Sequence, residues 1–208
     1  MKQIKGIWFP DSDMHFQHFL NEDGSYQRDI FNAAMEYVTA PKIFYDIGAH
    51  VGLWSLMAHK MGFREIHAYE PNPATFNCLR ANTKHLYINI FNRGVSRIST
   101  QMEIVVEDPN NSGAIKLELR NGDNEIEVSP IAYKGLANMR PHEALIKIDT
   151  EGMEANCIEG LREVIYALRP VICVEQRSNK DALKLLCDMG MQIVKIIRKD
   201  YILTWKNQ

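Results

Sequence analysis

The segment Asp46-Ile47-Gly48-Ala49-His50-Val51-Gly52 combines an acidic residue with two glycines, a set that suits a small-ligand site. Glycine lets the backbone approach a ligand closely where a side chain would stand in the way. The glycine spacing differs from the G-x-G-x-x-G that holds a dinucleotide pyrophosphate, and the Asp46 carboxylate would repel phosphate. A carboxylate here instead suits a ligand with an ammonium group, such as the methionine part of S-adenosylmethionine. A tight strand-to-helix turn with an N-terminal cap is the alternative interpretation.

A second carboxylate, Glu70, ends the next apolar run of the chain, Glu65–Glu70. A carboxylate at this place is suited to bind both hydroxyls of a ribose. We expect the residues that follow it to shape the adenine side of the same ligand, and the loop glycines to contact its methionine part. The residues that this pattern assigns to cofactor binding are Asp46, Gly48, His50, Gly52, Glu70, Pro71, Asn72, Asn92 and Gly94.

Acidic residues also follow later apolar runs and could serve as a general base. In methyl transfer from a sulfonium, the protein supplies orientation and a dry site, and a hydroxyl acceptor benefits from a nearby base. Asp149 is the leading candidate for this base, and Glu151 is the second. Capping of the first helical turn explains Glu151 equally well.

Metal-assisted chemistry is an alternative for the same region. Asp149 with Glu175 and Gln176 resembles the magnesium site of catechol-type O-methyltransferases, and oxygen ligands suit Mg²⁺. His15-x-x-His18 could be a metal pair, but two histidines alone make a weak site, and a surface or acceptor-binding loop is the favoured interpretation. We expect Trp8, His15 and Tyr26 to line the mouth of the acceptor site.

Short apolar runs alternate with amphipathic ones along the chain, which predicts an α/β fold. The alternation favours a mostly parallel seven-stranded sheet with helices on both faces, and the last two runs predict an antiparallel C-terminal hairpin. Ligands in such sheets bind at the carboxyl ends of the strands, where the acidic residues fall. The predicted strands are 42–46, 65–70, 87–92, 145–149, 171–175, 192–197 and 201–205, and the predicted helices are 26–38, 53–61, 74–84, 153–168 and 180–189.

The 208 residues, 46% of them hydrophobic, predict a single domain covering 1–208. Within it we expect an N-terminal lid or helix over 1–40 and a β-rich insertion over 97–143, with a small meander of strands at 103–107, 115–119 and 125–128. The net charge of −2 gives no basic footprint for nucleic acid. We find neither a signal peptide nor a membrane span, and the four scattered cysteines suit buried free thiols in the cytoplasm.

The chain resembles the FkbM-like family of S-adenosylmethionine-dependent methyltransferases over roughly residues 43–176. The resemblance is carried by FYDIGAHVGLWSL (44–56), HAYEPNPATFNCLRAN (67–82), NRGVS (92–96), NSG (111–113), LIKIDTEGMEANCIEGL (145–161) and LRPVICVEQ (168–176). It implies a Rossmann-like class I methyltransferase fold, S-adenosylmethionine as donor, and commonly a hydroxyl acceptor on a sugar or another small metabolite. The family usually has Asn where this chain has His50, and often Tyr where it has Trp54; these departures concern the finer shape of the donor pocket.

Other functions remain open from the sequence alone. Methyltransferases acting on nucleic-acid amines place an Asp/Asn-Pro-Pro-aromatic motif after the fourth strand, where this chain has Asp149-Thr150-Glu151-Gly152. Methylation of a protein is open, because no acceptor-specific motif is present. The glycine spacing disfavours an NAD(P)-linked oxidoreductase, and a non-catalytic binding module would keep the same pocket. The oligomeric state and the identity of the acceptor are not determined by the sequence.

Overall fold

The computed structural model describes residues 1–119, 125–132, 139–176 and 180–206. Its strands are β1 (Lys2–Ile4), β2 (Ile7–Phe9), β3 (Ile43–Ile47), β4 (Glu65–Tyr69), β5 (Asn89–Phe91), β6 (Gly94–Val95), β7 (Thr100–Val106), β8 (Ile115–Glu118), β9 (Glu125–Ser129), β10 (Ala144–Ile148), β11 (Val171–Glu175), β12 (Met191–Ile197) and β13 (Asp200–Trp205). Its α-helices are α1 (Arg28–Met35), α2 (Leu53–Lys60), α3 (Pro73–Thr83), α4 (Glu154–Gly160), α5 (Arg162–Leu168) and α6 (Asp181–Asp188).

Seven strands form one sheet in the order β12-β13-β11-β10-β3-β4-β5. The strands from β11 to β5 in this order run parallel to one another. β13 lies between β11 and β12 and runs antiparallel to both. The predicted mostly parallel seven-stranded sheet with an antiparallel C-terminal hairpin is therefore confirmed.

The two faces of the sheet carry separate layers of helices. Alternate residues of a strand point to opposite faces. Tyr45 and Ile47 of β3 pack in the core that includes residues of α4, α5 and α6, whereas Phe44 packs with residues of α1 and α2. This alternation places Asp46 on the α1–α2 face, beside its register partner Lys147 on β10. Polar groups thus occupy the end of an otherwise apolar layer.

A separate four-stranded sheet follows β5 in the chain, in the order β6-β9-β7-β8. The three strands predicted for the insertion are present as β7, β8 and β9. The predicted meander is wrong, because β9 pairs with β7 rather than with β8, and β6 adds an unpredicted parallel partner to β9. The sheet is held to the main body in part by Ile131, whose backbone N–H donates to the Gly160 carbonyl at 3.0 Å.

Two helical predictions need correction. The single helix predicted over 153–168 is two helices, α4 and α5, with a break at Leu161 (φ −98°, ψ 2°). The break coincides with a tertiary contact, because the Gly160 carbonyl accepts from the N–H of Ile131 outside the helix. The helix predicted over 26–38 is shorter, and the hairpin of β1 and β2 before it was not predicted. Within the described residues, none of the helices has the length and apolar character needed to cross a membrane.

Candidate active site

The loop after β3 bends sharply over the end of β10. Gly48 has a φ of +78°, and a Cβ added there would lie 1.8 Å from the backbone carbonyl oxygen of Asp149. The N–H groups of Gly48 and Ala49 both donate to the Tyr69 carbonyl at 3.0 Å. His50 also takes a left-handed conformation, with a φ of 54°. A side chain at position 48 is thus excluded by the backbone of another strand.

Glu70, which follows β4, is almost fully buried, with 4% of its surface exposed. Its Oε2 accepts from the His50 N–H at 2.8 Å, while its Oε1 accepts from the Asn72 N–H at 2.9 Å and from Thr75 Oγ1 at 2.8 Å. Burial raises the pKa of the Glu70 carboxyl, although these three hydrogen bonds oppose part of the rise. The carboxyl therefore links the first two loops at this edge of the sheet.

Lys147 is a site residue that the sequence reasoning missed. Its side chain is only 9% exposed, and its Nζ lies 3.3 Å from Asp149 Oδ2 and 3.8 Å from Asp46 Oδ1. It also donates to the Gly48 carbonyl at 3.1 Å. Burial opposes the charge of Lys147, but Asp149 and Asp46 outweigh it and raise the pKa of this ammonium above its usual range. One buried cation thus contacts Asp46, Asp149 and the glycine loop.

A cleft, here called the main cleft, opens along the carboxyl ends of β3, β4 and β10 and has about 1100 Å³ of space including its mouth. Of the predicted site residues, its wall contains Gly48, His50, Glu70, Pro71, Gly94, Asp149 and Glu151. His15 and Tyr26, expected at the acceptor mouth, also line it.

Four predicted cofactor-binding residues lie behind the wall and support it. Asp46 is fully buried and accepts from Ser55 Oγ at 2.7 Å; burial raises the pKa of its carboxyl. A Cβ at Gly52 would lie 2.6 Å from the Leu79 side chain.

The Asn72 side chain caps α3 by accepting from the Ala74 N–H, and the Asn92 amide donates to the carbonyls of Glu70 and Pro71. Trp8, expected at the acceptor mouth, is not part of the wall; its backbone N–H and carbonyl pair with the Asn82 side chain.

The roof of the main cleft joins the N-terminal segment to the second sheet. Asp13 is fully buried and accepts from the backbone N–H groups of His15, Phe16 and Ser112 and from the Ser112 hydroxyl. Ser112 Oγ lies 2.6 Å from His50 Nε2, and the Phe16 ring stacks on the imidazole at 4.5 Å between centroids. Because an ionised Asp13 can only accept, Ser112 donates to it and receives the Nε2–H of His50. Burial lowers the pKa of His50 to about 4, so the imidazole is neutral.

A second, side cleft shares Asp149, Glu151 and Glu175 with the main cleft. Asp200 lies opposite Glu175 in the β11–β13 register. Burial, together with the charges of Glu175 and Asp149, raises the pKa of Asp200 to about 7. The carboxyl ends of β10 and β11 thus form an acidic region next to the buried Lys147.

The magnesium variant finds no support in the structure. Among residues 1–119, 125–132, 139–176 and 180–206, no three His, Cys, Asp or Glu side chains are grouped to hold a metal ion. His15 and His18 therefore do not belong to any such group within the described residues. Of the four cysteines, Cys78, Cys157 and Cys173 are buried free thiols as predicted, while Cys187 is partly exposed.

Comparisons of the sequence with known proteins identify relatives. Residues 46–199 match the family described as Methyltransferase FkbM domain. A curated relative, the hexuronic acid methyltransferase AglP of Haloferax volcanii, is 21% identical over 193 residues, covering 85% of this chain and 76% of the relative.

Comparisons with solved structures identify methyltransferases that share the fold of this chain. The methyltransferase FkbM from Methylobacillus flagellatus KT superposes with a TM-score of 0.52 at 19% identity, covering 96% of this chain. This chain spans only 48% of that structure's length. The ribosomal protein L11 methylase of Lactobacillus delbrueckii subsp. bulgaricus gives a TM-score of 0.51 at 13% identity, covering 91% of this chain and 81% of that one. At such identities the likeness establishes a Rossmann-like methyltransferase fold.

Proposed function

This chain belongs to the methyltransferase FkbM domain family, and from that premise we propose that it transfers a methyl group from S-adenosylmethionine to a hydroxyl of a sugar or another small metabolite. The charge of the main cleft is the observation that carries the choice of donor. Its wall contains the carboxylates Glu70, Asp149, Glu151 and Glu175, and Lys147 is the only lysine or arginine among the described residues of that wall. Such a wall favours a sulfonium and an ammonium and disfavours the pyrophosphate of NAD(P).

The residues present fit this donor. Gly48 lines the main cleft and lets the loop after β3 pack directly against the Asp149 carbonyl, which a Cβ would prevent. Glu70 reaches the wall with its carboxyl already oriented by three hydrogen bonds, so little freedom is lost when it accepts from ribose hydroxyls. When bound, the donor supplies a methyl carbon activated by its sulfonium. The chain's own task is then to orient the acceptor and to remove its proton.

Asp149 is assigned as the general base. Its carboxylate belongs to both the main cleft and the side cleft, and Lys147 fixes it at 3.3 Å. The acceptor hydroxyl would give its proton to Asp149 while its oxygen forms a bond to the methyl carbon and the carbon–sulfur bond breaks, leaving S-adenosylhomocysteine. Glu151 shares both walls and is the second candidate. The proposed acceptor site is the part of the main cleft next to the residues that it shares with the side cleft, and the relative named for hexuronic acid supports a carbohydrate acceptor.

Calorimetric titration with S-adenosylmethionine, S-adenosylhomocysteine and NAD tests the donor assignment. We expect the first two to bind and NAD not to bind; binding of NAD alone would overturn the proposal. Glu70→Ala should weaken donor binding by about 10- to 150-fold, since a charged hydrogen-bond acceptor contributes about 1.5–3 kcal/mol. Glu163→Gln, on an exposed site of α5, serves as the control and should leave donor affinity unchanged.

Asp149→Asn should spare donor binding and lower turnover, because the amide cannot take up the proton. Asp188→Asn, in a surface ion pair of α6, is the matched control. The assay is formation of S-adenosylhomocysteine that depends on an added acceptor from a panel of sugars, uronic acids, other metabolites, peptides and RNA, with and without EDTA. Full turnover in Asp149→Asn would remove this residue as the base. Turnover only with a peptide or RNA would replace the proposed acceptor class.

A further inference from the structure

Tyr26 lies outside the family match of residues 46–199, yet it lines the main cleft. We propose that the Tyr26 hydroxyl binds the acceptor, donating a hydrogen bond to an oxygen adjacent to the one that Asp149 deprotonates. The acceptor would then carry two neighbouring hydroxyls, and Tyr26 would determine the specificity for such a diol. This inference rests on the proposed function and concerns the acceptor rather than the donor.

The backbone around Tyr26 is built to hold this side chain in place. Gln27, the next residue, caps α1 in a left-handed conformation (φ 52°, ψ 35°). A non-glycine residue persists in that conformation when surrounding contacts determine it. Here the contact is the Gln27 amide oxygen, which accepts from Trp54 Nε1 at 3.0 Å. Tyr26 is therefore held in the wall of the main cleft, directly before the chain continues into α1.

The ring of Tyr26 is held from the side. Phe16 packs against it edge-on, with 5.2 Å between centroids and 71° between planes. Phe16 in turn stacks on His50, which is anchored through Ser112 to the buried Asp13. The ring position thus depends on the same roof that closes the main cleft.

That hydroxyl has no hydrogen-bond partner within the part of the chain that the structure describes, and Tyr26 is partly exposed in the wall of the main cleft. Its surroundings are polar: burial raises the pKa of Tyr26, and the nearby charges of Asp149 and Glu175 raise it further. The phenol therefore stays protonated and can act as a donor to a ligand in the main cleft. A ligand is the natural partner for a fixed donor in a wall of carboxylates.

The oxygen bound by Tyr26 cannot be the attacking one. A hydrogen bond donated to the nucleophile would withdraw electron density from it, whereas Asp149 increases that density by accepting the proton. Both groups act together when one hydroxyl of the acceptor faces Asp149 and its neighbour faces Tyr26. Sugars and other polyols present hydroxyls in this way.

Tyr26→Phe tests the inference, because it removes one oxygen atom and keeps the ring. The matched control is Tyr166→Phe on α5, where the tyrosine is 48% exposed and its ring packs on Trp205. The probes are glucuronate, methyl glucoside and their analogues that lack one hydroxyl. Donor affinity is measured by calorimetry, and kcat/KM is measured from S-adenosylhomocysteine formation.

We expect Tyr26→Phe to lower kcat/KM for a diol probe by about 3- to 10-fold, the range for one hydrogen bond. Donor affinity should stay within about twofold, and the variant should no longer distinguish the diol from the analogue lacking the neighbouring hydroxyl. Equal losses on both probes, no loss at all, or an enzyme that binds donor but accepts none of the diols would overturn the inference. If the wild-type protein binds no S-adenosylmethionine, the proposed function itself fails, which is a separate outcome.

Discussion

Lys147→Met removes the buried charge on which the centre of the site depends while keeping a long apolar stem. The variant leaves Asp46 fully buried without a cation, and leaves Asp149 without its ammonium partner at 3.3 Å. It also leaves the Gly48 carbonyl without its donor at 3.1 Å. Because the three partners lie on β3, on the loop after it and directly after β10, the perturbation should reach the ends of both strands.

The expected magnitude follows from these distances. With an effective dielectric constant of about 20, the attraction is about 5 kcal/mol at 3.3 Å and about 4.4 kcal/mol at 3.8 Å. The variant no longer bears the cost of burying the ammonium, which offsets much of this loss. Removal of one partner from a buried pair typically costs about 3–5 kcal/mol, and we expect a decrease of that size in the free energy of unfolding.

Urea unfolding followed by circular dichroism, at pH 7.5 and equal protein concentration, measures the decrease. Adding Asp46→Asn to Lys147→Met removes the uncompensated buried carboxylate and should restore about 1–3 kcal/mol, since the two residues are in contact. Asp149, with its side chain 24% exposed, can still be solvated and needs no such rescue. A loss below about 1 kcal/mol for Lys147→Met, or no rescue in the double variant, would refute the assignment of Lys147 as the cation of this cluster.

Gly48→Ala should abolish detectable donor binding, because the added methyl group would lie 1.8 Å from the Asp149 carbonyl oxygen. Gly62→Ala controls for backbone strain alone, since Gly62 has a φ of +86° and nothing lies within 4 Å of an added Cβ. Equal donor affinities of the two variants in calorimetry would contradict this reasoning. The pKa of Asp200 is about 7 in the folded chain and near 4 in the unfolded chain. Between pH 4 and pH 7, approximately, the folded chain therefore binds more protons than the unfolded one, and stability should fall as the pH rises through this window. Urea unfolding should show a shallower fall in Asp200→Asn, and an unchanged slope would be inconsistent with that protonation. Ser112→Ala should lower the free energy of unfolding by about 1–3 kcal/mol, because it leaves His50 Nε2 without its partner and removes one of the four donors to Asp13. Unaltered stability in urea would mean that the Ser112 hydroxyl does not hold the roof together.

The elements that are determined by residues close together in the chain could be predicted from the sequence. Alternating and helical hydrophobic patterns predicted the sheet and most helices, and the glycine spacing with Glu70 at a strand end indicated the cleft. Lys147 was missed because a lysine in LIKID has no local mark of burial; only the register of β10 beside β3 brings it to Asp46. The contact between Asp13 and Ser112 spans 99 residues and could not be inferred from spacing. The break at Leu161 coincides with a contact from another segment, Ile131, which local spacing does not indicate either.

The order of strands at one side of the main sheet has a consequence for biosynthesis. β12 is translated before β13, but it joins the sheet only through β13, which fits between it and β11. A nascent chain that has not yet passed Asp200 therefore holds two strands with unpaired edges, and such edges recruit other chains. Ribosomal stalling or premature termination in this short stretch should yield an aggregation-prone species, even though the residues of both clefts have already been made.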